Sequence, residues 1–204
     1  MYKNPVIVFE GIEASGKSTN LNIAVKYLKK NKKNFIKLRE PGGSSFSEQI
    51  RKLLLNKRFN LVNKTDLMLF YAARSENFEK IIKKNHQKKI ILIDRFTDST
   101  LAYQHFGMKI DLNIIKILNK FIIGTFKPDI TFLSTVNLIN LKKRLKNRSK
   151  LNRYDKFKLN FYSKVQKGYY KISKKSRNYV IIDSNKKNTN EVKKLIINKL
   201  EKII

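Results

Sequence analysis

A short apolar run that leads directly into a glycine-containing turn, and then into a helix, constrains this chain most. The run PVIVFE, at residues 5–10, shows no polar alternation, as expected for a strand buried on both faces of a sheet. Helical spacing of apolar residues begins after the turn and covers residues 17–30. The turn itself fits G-x-x-x-x-G-K-S, in which backbone N–H groups at the helix start bind phosphate oxygens. The sequence therefore predicts a phosphate-binding loop attached to a sheet.

The turn, GIEASGKS, contributes eight residues that we expect around the phosphates of a nucleotide: Gly11, Ile12, Glu13, Ala14, Ser15, Gly16, Lys17 and Ser18. The ammonium of Lys17 is expected to reach the β- and γ-phosphates, and the hydroxyl of Ser18 to bind Mg²⁺ or a phosphate oxygen. Glu13 is unusual in such a loop, because a carboxylate beside phosphate is repelled unless cations lie nearby. The pattern predicts nucleotide binding and leaves the reaction open.

Strands and helices alternate along the rest of the chain, which predicts a mostly parallel sheet covered on both faces. Further strands are predicted at residues 34–39, 89–94, 129–134 and 178–183. Further helices are predicted at residues 44–56, 65–84, 98–105, 111–124, 138–146, 155–175 and 189–200, with Thr65 or Asp66 as the cap of the second of these. The predicted fold is a three-layer α/β/α domain with a five-stranded parallel sheet. Residues 1–204 are expected to form one domain, with ligands at the carboxyl ends of its strands.

The formal net charge of +31 is the most unusual feature of the composition. Lys, Asn and Ile recur in every part of the chain, as a strongly AT-rich genome would encode, and a polyanion-binding face is the alternative explanation. The chain has no cysteine, which excludes disulfides and thiolate metal sites. No apolar run reaches the roughly 18–20 residues that span a bilayer, and the first residues lack a signal-peptide pattern. We therefore expect a cytoplasmic protein that does not enter membranes.

Two predicted strands end in residues suited to phosphate and metal chemistry. Arg39 ends the second strand before a Pro-Gly-Gly turn, which is also typical of an ordinary strand-to-helix connection. Asp94 ends the third strand and Arg95 follows it. Asp94 is expected to bind Mg²⁺ or to orient Arg95, whose guanidinium can hold a phosphate through two hydrogen bonds. A helix cap beside a surface arginine is the alternative for this pair.

An aromatic residue and an arginine lie four residues apart in the predicted helix at residues 65–84. Phe70 and Arg74 therefore project from one helical face. Together they could stack on a nucleotide base and hydrogen bond to its edge. A core phenylalanine next to a surface arginine is the alternative.

Three of the few arginines in this lysine-rich chain, Arg144, Arg148 and Arg153, cluster around the polar segment RSKLNRYD. Arginine makes planar contacts through several hydrogen bonds, which suits phosphate recognition better than lysine does. A mobile lid at about residues 147–155 could carry these side chains over a transferring phosphoryl group. A solvated basic loop is the alternative.

The segments GIEASGKS, REPGG, FYAAR, DRFTDSTLAYQ and RSKLNR, in this order and spacing, resemble bacterial thymidylate kinase, a family of P-loop nucleoside monophosphate kinases. The resemblance runs from the first strand to the helix predicted at residues 155–175, and the last thirty or so residues match in pattern only. FYAAR followed by DR…S…AYQ is its most specific part. The resemblance implies that ATP phosphorylates dTMP to dTDP with Mg²⁺, in dTTP biosynthesis. It also implies a homodimer, and we expect no specific nucleic-acid partner.

The resemblance also implies roles for individual residues. It implies seven acceptor contacts: Arg39 and Arg95 near the dTMP phosphate, Phe70 stacked on thymine, Arg74 hydrogen bonded to its edge, Tyr103 beneath the deoxyribose, and Thr100 and Gln104 near the base. It implies five catalytic residues: Lys17, Glu13, Arg95, Arg148 and Arg153. Ser18 and Asp94 are expected to bind Mg²⁺, directly or through water. Glu13 matches a carboxylate that contacts the 3′-hydroxyl of dTMP, so it is expected to point away from ATP.

Members of this family carry a catalytic arginine either at the position of Ala14 or in the lid. This chain has a small residue in the loop and arginines in the lid, so it resembles the lid-arginine type, and Ala14 is expected to fit without backbone strain. The lid departs from the family pattern at Asn152, where an aspartate is common, and at Lys150, which replaces a frequently acidic residue. Both changes make the lid more positive.

Two other functions compete with this interpretation. The first is a kinase for another nucleoside monophosphate, namely dUMP, CMP or AMP. The methyl group of thymine alone discriminates by only about 1–3 kcal/mol, so preference over uracil is expected to be partial. The second is a basic, nucleic-acid-binding NTPase. Against it, the aromatic residues do not cluster as a stacking platform on a basic strand face.

Overall fold

A computed structural model describes residues 4–149 and 151–204. Lys150, at which the sequence departs from the family pattern, lies outside the described residues. Within the described ranges, none of the helices combines the length and the apolar character needed to cross a bilayer.

Five strands form one parallel sheet, as the alternating pattern predicted, and their order in it is β2-β3-β1-β4-β5. The strands are β1 (Val6–Gly11), β2 (Phe35–Arg39), β3 (Ile90–Asp94), β4 (Ile130–Thr135) and β5 (Tyr179–Asp183). In the pairing register, Arg39 lies beside Asp94, and Asp94 lies beside Phe9. The carboxyl ends of β2, β3 and β1 therefore finish at the same edge of the sheet, where ligands bind in folds of this kind.

Helices cover both faces of the sheet. They are α1 (Lys17–Lys30), α2 (Ser45–Leu55), α3 (Asn63–Asn77), α4 (Lys83–Asn85), α5 (Thr97–Thr100), α6 (Leu112–Ile123), α7 (Leu138–Lys146), α8 (Leu159–Ser173) and α9 (Thr189–Glu201). Two π-helical segments, Phe78–Ile82 and Leu101–Gly107, continue α3 and α5, and a 3₁₀ turn covers Arg153–Lys156. The predicted α/β/α class is therefore confirmed.

Alternate residues of β1 enter two different cores, which explains why this strand is apolar throughout. Ile7 and Phe9 pack with apolar residues of α1 and α9 on one face of the sheet. Val6 and Val8 pack on the other face with residues that include Phe96. A strand covered on both faces has no position at which a polar side chain reaches water, and this matches the run PVIVFE.

The predicted helix cap at Thr65 or Asp66 is wrong. Helix α3 begins at Asn63, and its N-cap, Val62, makes no side-chain capping bond. Asp66 is fully buried and accepts hydrogen bonds from side chains of other elements. An aspartate near a helix start is favoured both as a cap and in the first turn, so the local sequence did not separate the two possibilities.

The single helix predicted at residues 155–175 is also wrong at its start, because the chain forms a short 3₁₀ turn before α8. Asn152 accepts a hydrogen bond from the backbone of this turn, and the Asp155 carboxylate accepts one from the backbone N–H of Asn152 at 2.7 Å. This capping box closes the turn at Arg153–Lys156. The extended backbone at Phe157 then separates the turn from α8.

Candidate active site

A cavity of about 670 Å³ opens at the carboxyl edge of the sheet, within the usual size range of small-molecule sites. Its lining includes many of the predicted site residues: Ile12, Glu13, Ala14, Ser15, Gly16, Lys17, Ser18, Arg39, Phe70, Asp94, Arg95, Tyr103, Gln104 and Arg148. Other predicted site residues lie outside that lining: Gly11, Arg74, Thr100 and Arg153. The cavity therefore joins the loop after β1 to residues of the ends of β2 and β3, of α3 and of the segment after α7.

The first glycine of the loop is required by its backbone conformation. Gly11 has φ +141°, and a Cβ atom there would lie 2.3 Å from the carbonyl oxygen of Ser134 on β4. The loop can therefore leave β1 only because this residue has no side chain. Helix α1 begins at Lys17, within the last two residues of the loop, so its first backbone N–H groups face the cavity.

The expectation that Ala14 fits without strain is wrong. Ala14 has φ +53°, in the left-handed region where a Cβ atom is unfavourable. The carbonyl oxygen of Ala14 accepts a hydrogen bond from Nη1 of Arg144 at 2.9 Å. Arg144 also donates to the side chain of Ser184, after β5, at 3.0 Å. Arg144 thus holds the strained part of the loop against the end of the sheet.

Lys17 and Asp94 form an ion pair across the cavity floor. Burial lowers the pKa of Lys17, and the neighbouring Arg95 acts in the same direction, while Asp94 opposes both. Burial raises the pKa of Asp94, but Lys17 and nearby arginines together bring it below its usual value. The lowered pKa keeps the Asp94 carboxylate ionised at neutral pH, and Asp94 holds the Lys17 side chain at the start of α1, within the phosphate-binding loop.

Ser18 and Asp94 offer donors of the kind that Mg²⁺ prefers. The Ser18 side chain is exposed at the start of α1, and the Asp94 carboxylate lines the same cavity. Within the described part of the chain, no three His, Cys, Asp or Glu side chains are grouped as a metal site. One hydroxyl and one carboxylate fit a Mg²⁺ ion that takes its other oxygen ligands from phosphates and water.

Glu13, the acid of the loop, points at two residues that follow β3 in the sequence. Its carboxylate accepts hydrogen bonds from Nη2 of Arg95 at 3.0 Å and from the hydroxyl of Tyr103 at 2.5 Å. The Arg95 guanidinium also lies 5.1 Å from the centre of the Tyr103 ring. Burial raises the pKa of Tyr103 well above its ordinary value, so its hydroxyl remains a donor. The positive charge of Arg95 therefore compensates for the negative charge that Glu13 brings into the loop.

Glu10 is a buried carboxyl group that sequence reasoning missed. It is 0% exposed, and burial raises its pKa to about 7. It accepts hydrogen bonds from the backbone N–H groups of Phe96 and Ser99, and from the hydroxyls of Ser99 and Tyr169. These bonds fix the turn after β3 in which Arg95 adopts φ +69°. Glu10 lies inside an apolar strand next to the loop, where nothing in the sequence distinguishes its role.

Arginines from β2 and α2 add positive charge at the edge of the cavity. Arg39 donates to both carboxylate oxygens of Glu48, at 3.1 and 2.7 Å. Arg51 lines the cavity and donates to the carbonyl oxygen of Pro41 at 2.7 Å. Burial lowers the pKa of Arg51, and the nearby positive charge of Arg39 adds to this effect. Arg51 was not predicted as a site residue, because an arginine next to Lys52 in an amphipathic helix carries no distinct signal in so basic a chain.

Arg74 is buried instead of lying on the surface, so a core phenylalanine beside a surface arginine is the wrong description of that helix. Its side chain is 1% exposed. The guanidinium donates to Glu40 at 2.7 Å, to the hydroxyl of Thr100 at 3.0 Å and to the carbonyl oxygen of Phe96 at 3.0 Å. Phe70 is partly buried and lines the cavity. Arg74 therefore connects the ends of β2, β3 and α3 behind the cavity wall.

The two predicted lid arginines have different surroundings. Arg148 lines the cavity and pairs with Asp155 at 2.6 Å. Arg153 turns toward α2 and α3, where it pairs with Asp66 and donates from Nε to the carbonyl oxygen of Leu54 at 2.9 Å. The structure therefore brings Arg148, and not Arg153, to the cavity lining.

Comparisons with known proteins agree with this geometry. A family model described as Thymidylate kinase matches residues 9–196. A thymidylate kinase of Thermosipho africanus is 38% identical over 195 residues, which are 93% of this chain and 96% of that protein. The crystal structure of thymidylate kinase from Ehrlichia chaffeensis superposes with a TM-score of 0.78 at 36% identity and covers 97% of this chain and 98% of that one. This chain belongs to the thymidylate kinase family.

Proposed function

We propose that this protein transfers the γ-phosphoryl group of ATP to dTMP and so forms dTDP for dTTP biosynthesis. One observation carries the proposal: the phosphate-binding loop and the aromatic and amide side chains of Phe70 and Gln104 line the same cavity. The loop suits the donor triphosphate, and the aromatic and amide side chains suit a base. The carboxylate of Glu13 accepts hydrogen bonds from Arg95 and Tyr103, which are both proposed to contact dTMP.

The cations around the cavity suit a reaction that needs mainly positioning and charge stabilisation. In the proposed complex, Lys17 exchanges its contact with Asp94 for the β- and γ-phosphates. Arg39, Arg51 and Arg95 hold the phosphate of dTMP, and Arg148 lies over the donor phosphates. No general base is required, because the attacking oxygen belongs to an already ionised phosphate.

A magnesium ion at Ser18 and Asp94 would neutralise charge on the donor phosphates during transfer. In this arrangement Ser18 contributes its hydroxyl from the start of α1, and Asp94 contributes a carboxylate that is already ionised. Removal of Mg²⁺ with EDTA is expected to abolish turnover, and turnover restored by Mg²⁺ in the same sample excludes damage to the protein.

Recognition of the acceptor base is proposed to depend on stacking and on a polar edge. Phe70 stacks on thymine, and Gln104 contacts the base from the cavity lining. Arg74 and Thr100 lie outside that lining and support this edge of the site from behind the cavity wall, where Arg74 donates to the Thr100 hydroxyl. Tyr103 packs under the deoxyribose of dTMP. A ribonucleotide bound in the same way would place its 2′-hydroxyl against the Tyr103 ring.

A coupled assay of ADP release with dTMP, dUMP, CMP and AMP tests this proposal. We expect dTMP to react fastest and dUMP to retain part of the activity, since one methyl group contributes about 1–3 kcal/mol. Faster turnover of AMP or CMP would contradict the assignment of the acceptor. Stimulation of ATPase activity by DNA, with a salt-dependent gel shift, would support the nucleic-acid-binding alternative instead.

We also propose that the protein is a homodimer that uses α3 and α6. Ile114, Ile117 and Phe121 lie on one side of α6, and Phe121 is 85% exposed. Met68 on α3 is another exposed apolar residue, and α3 packs against α6. Light scattering coupled to size exclusion is expected to give twice the chain mass for the unchanged protein and the chain mass for Phe121→Lys.

Several expectations from the sequence remain predictions. A cytoplasmic location can be tested by cell fractionation. The single domain at residues 1–204 can be tested by limited proteolysis, and the lid at about residues 147–155 by its protection from protease when nucleotides bind. The absence of a specific nucleic-acid partner can be tested by the gel shift described above.

A further inference from the structure

A buried carboxylate on α3 joins Gln104, which lines the cavity, to the C-terminal part of the lid. Asp66 is 0% exposed. Its Oδ1 accepts a hydrogen bond from Nε2 of Gln104 at 2.9 Å, and its Oδ2 accepts one from the hydroxyl of Tyr154 at 2.6 Å and one from Nη2 of Arg153. A fully buried carboxylate is retained only where hydrogen bonds and an opposite charge compensate for lost hydration. We call these four residues the Asp66 network.

Two members of the Asp66 network reach the cavity. Gln104 and Tyr154 both line it. The ring of Tyr154 also lies edge-on to Phe70, with ring centres 6.1 Å apart, and edge-on to Tyr103, with centres 6.0 Å apart. The aromatic and amide residues proposed to contact the base and the sugar are therefore in direct contact with the 3₁₀ turn that contains Tyr154.

Arg153, the third residue that donates a hydrogen bond to Asp66, is held outside the cavity lining. Its Nε donates to the carbonyl oxygen of Leu54 in the last turn of α2, where the helix dipole favours positive charge. Its guanidinium also lies 4.8 Å from the centre of the Tyr154 ring. Arg148, five residues earlier, is 43% exposed and faces the cavity. Arg153 thus ties this part of the lid to α2 and α3, while Arg148, which is paired with Asp155, lies in the cavity lining on the proposed ATP side.

We propose that Asp66 is a positioning residue that couples binding of the acceptor nucleotide to placement of the lid. The inference rests on the proposed function, because it takes dTMP as the molecule that contacts Phe70 and Gln104. A base held by these two residues fixes Gln104 and Tyr154, and both are bonded to the carboxylate that holds Arg153. A lid placed near the ATP site then increases the affinity for ATP. By linkage, bound ATP increases the affinity for dTMP by the same factor.

The test is calorimetric titration with a non-hydrolysable ATP analogue, in the absence and in the presence of saturating dTMP. In the unchanged protein, we expect saturating dTMP to lower the dissociation constant of the analogue by about 5-fold or more, within the range of typical coupling between sites. In Asp66→Asn, which keeps the shape but loses the charge, we expect this factor to fall to near 1. The affinity for each nucleotide alone is expected to change by less than about 3-fold, while kcat falls by about 10-fold.

A second variant keeps the inference testable if Asp66→Asn does not fold. Arg153→Met removes the guanidinium and leaves the carboxylate, and it is expected to lose the coupling while keeping the affinity for the analogue alone. A loss of that affinity in the absence of dTMP would instead show that Arg153 binds the donor phosphates directly, and would overturn the inference. Coupling that survives in Arg153→Met would overturn it too.

The matched control is Asp129→Asn, which neutralises a carboxylate that accepts a hydrogen bond from the backbone N–H of Val6 at 2.7 Å. Asp129 lies outside the cavity lining, so we expect the coupling factor of this variant to match that of the unchanged protein. Turnover of dTMP is measured in the same series. Absence of turnover in the unchanged protein contradicts the proposed function, whereas normal turnover with full coupling in Asp66→Asn overturns only the role of Asp66.

Discussion

The carboxylate of Glu13 lies 3.0 Å from Nη2 of Arg95, so the acid of the phosphate-binding loop is paired with the arginine that follows β3. This pair holds the guanidinium between the loop and Tyr103. We expect Glu13→Gln to lower kcat by about 10- to 100-fold and to raise the KM for dTMP, since hydrogen bonds to charged groups contribute about 1.5–3 kcal/mol. Steady-state kinetics with each substrate varied in turn measure both effects.

The control for Glu13 is Glu79→Gln, which removes the carboxylate of an exposed ion pair with Lys83. Surface pairs of this kind contribute little, so its kinetics should equal those of the unchanged protein. If Glu13→Gln raised the KM for ATP and left that for dTMP unchanged, the carboxylate would act on the donor side, contrary to its contacts with Arg95 and Tyr103.

Lys17→Ala is expected to reduce kcat by about 10²–10³-fold, the usual effect of removing one group that stabilises developing charge. The substitution removes the ammonium held at the start of α1 and leaves Asp94 without its ion-pair partner. Single-turnover kinetics at saturating ATP separate this loss from weaker binding. Lys26→Ala, on the exposed side of the same helix, is the matched control. Near-normal turnover of Lys17→Ala would rule out the phosphate contact.

Phe70→Ala should weaken dTMP binding and leave ATP binding intact, because Phe70 lines the cavity from α3 and is not part of the phosphate-binding loop. Stacking of a base on an aromatic ring contributes about 1–3 kcal/mol, so the affinity for dTMP is expected to fall by about 5- to 150-fold. Calorimetry with each nucleotide measures this. Phe59→Ala, which removes an exposed ring outside the cavity, should change neither affinity. Equal loss of both nucleotides in Phe70→Ala would indicate unfolding.

The raised pKa of Glu10 predicts a pH dependence of stability. Burial raises this pKa to about 7 from an ordinary value of 4.5, so the folded state binds the proton more tightly than the unfolded state. The contribution of Glu10 to stability therefore falls as pH rises from about 4.5 to 7. In Glu10→Gln this dependence is absent. When pH rises from 5.5 to 8, the free energy of unfolding of the variant should increase by about 2 kcal/mol relative to that of the unchanged protein.

Urea unfolding at the two pH values measures this difference for Glu10. The amide can still accept from the backbone N–H groups of Phe96 and Ser99, and can donate to the hydroxyls, so the variant is expected to fold. An equal change in unfolding free energy with pH for both proteins would show that Glu10 is ionised in the folded state throughout this range.

The local sequence predicted the parts of the site that one continuous segment builds. Lys17 and Ser18 follow from the strand, turn and helix at the start of the chain, and the parallel sheet follows from the alternation of elements. Asp66 and Glu10 could not be assigned in this way. Their roles depend on side chains from elements distant in the sequence, such as Tyr154 and Tyr169, and an acid beside a helix start or at a strand end fits several local explanations.

The conformation of Ala14 depended on tertiary contacts in the same manner. Its positive φ follows from the path of the loop between Gly11 and α1 and from the bond that Arg144 donates to its carbonyl oxygen. A small side chain in the sequence is compatible with either a relaxed or a strained backbone. The folded path of the loop, with its hydrogen bond from an arginine of α7 that lies 130 residues later, decides between them.

Ala14→Gly is expected to stabilise the protein slightly, in contrast to the usual effect of glycine. Relief of the left-handed conformation gains about 1–2 kcal/mol, and the greater freedom of the unfolded chain costs about 0.4–1 kcal/mol, so a net gain of about 0.5 kcal/mol is expected. Ala72→Gly, at an exposed position inside α3, is the matched comparison and should lose about 1 kcal/mol. Urea unfolding of both variants gives the two changes. If they destabilised the protein equally, the backbone at Ala14 would not be strained, and the hydrogen bond from Arg144 would merely accompany a conformation that alanine adopts freely.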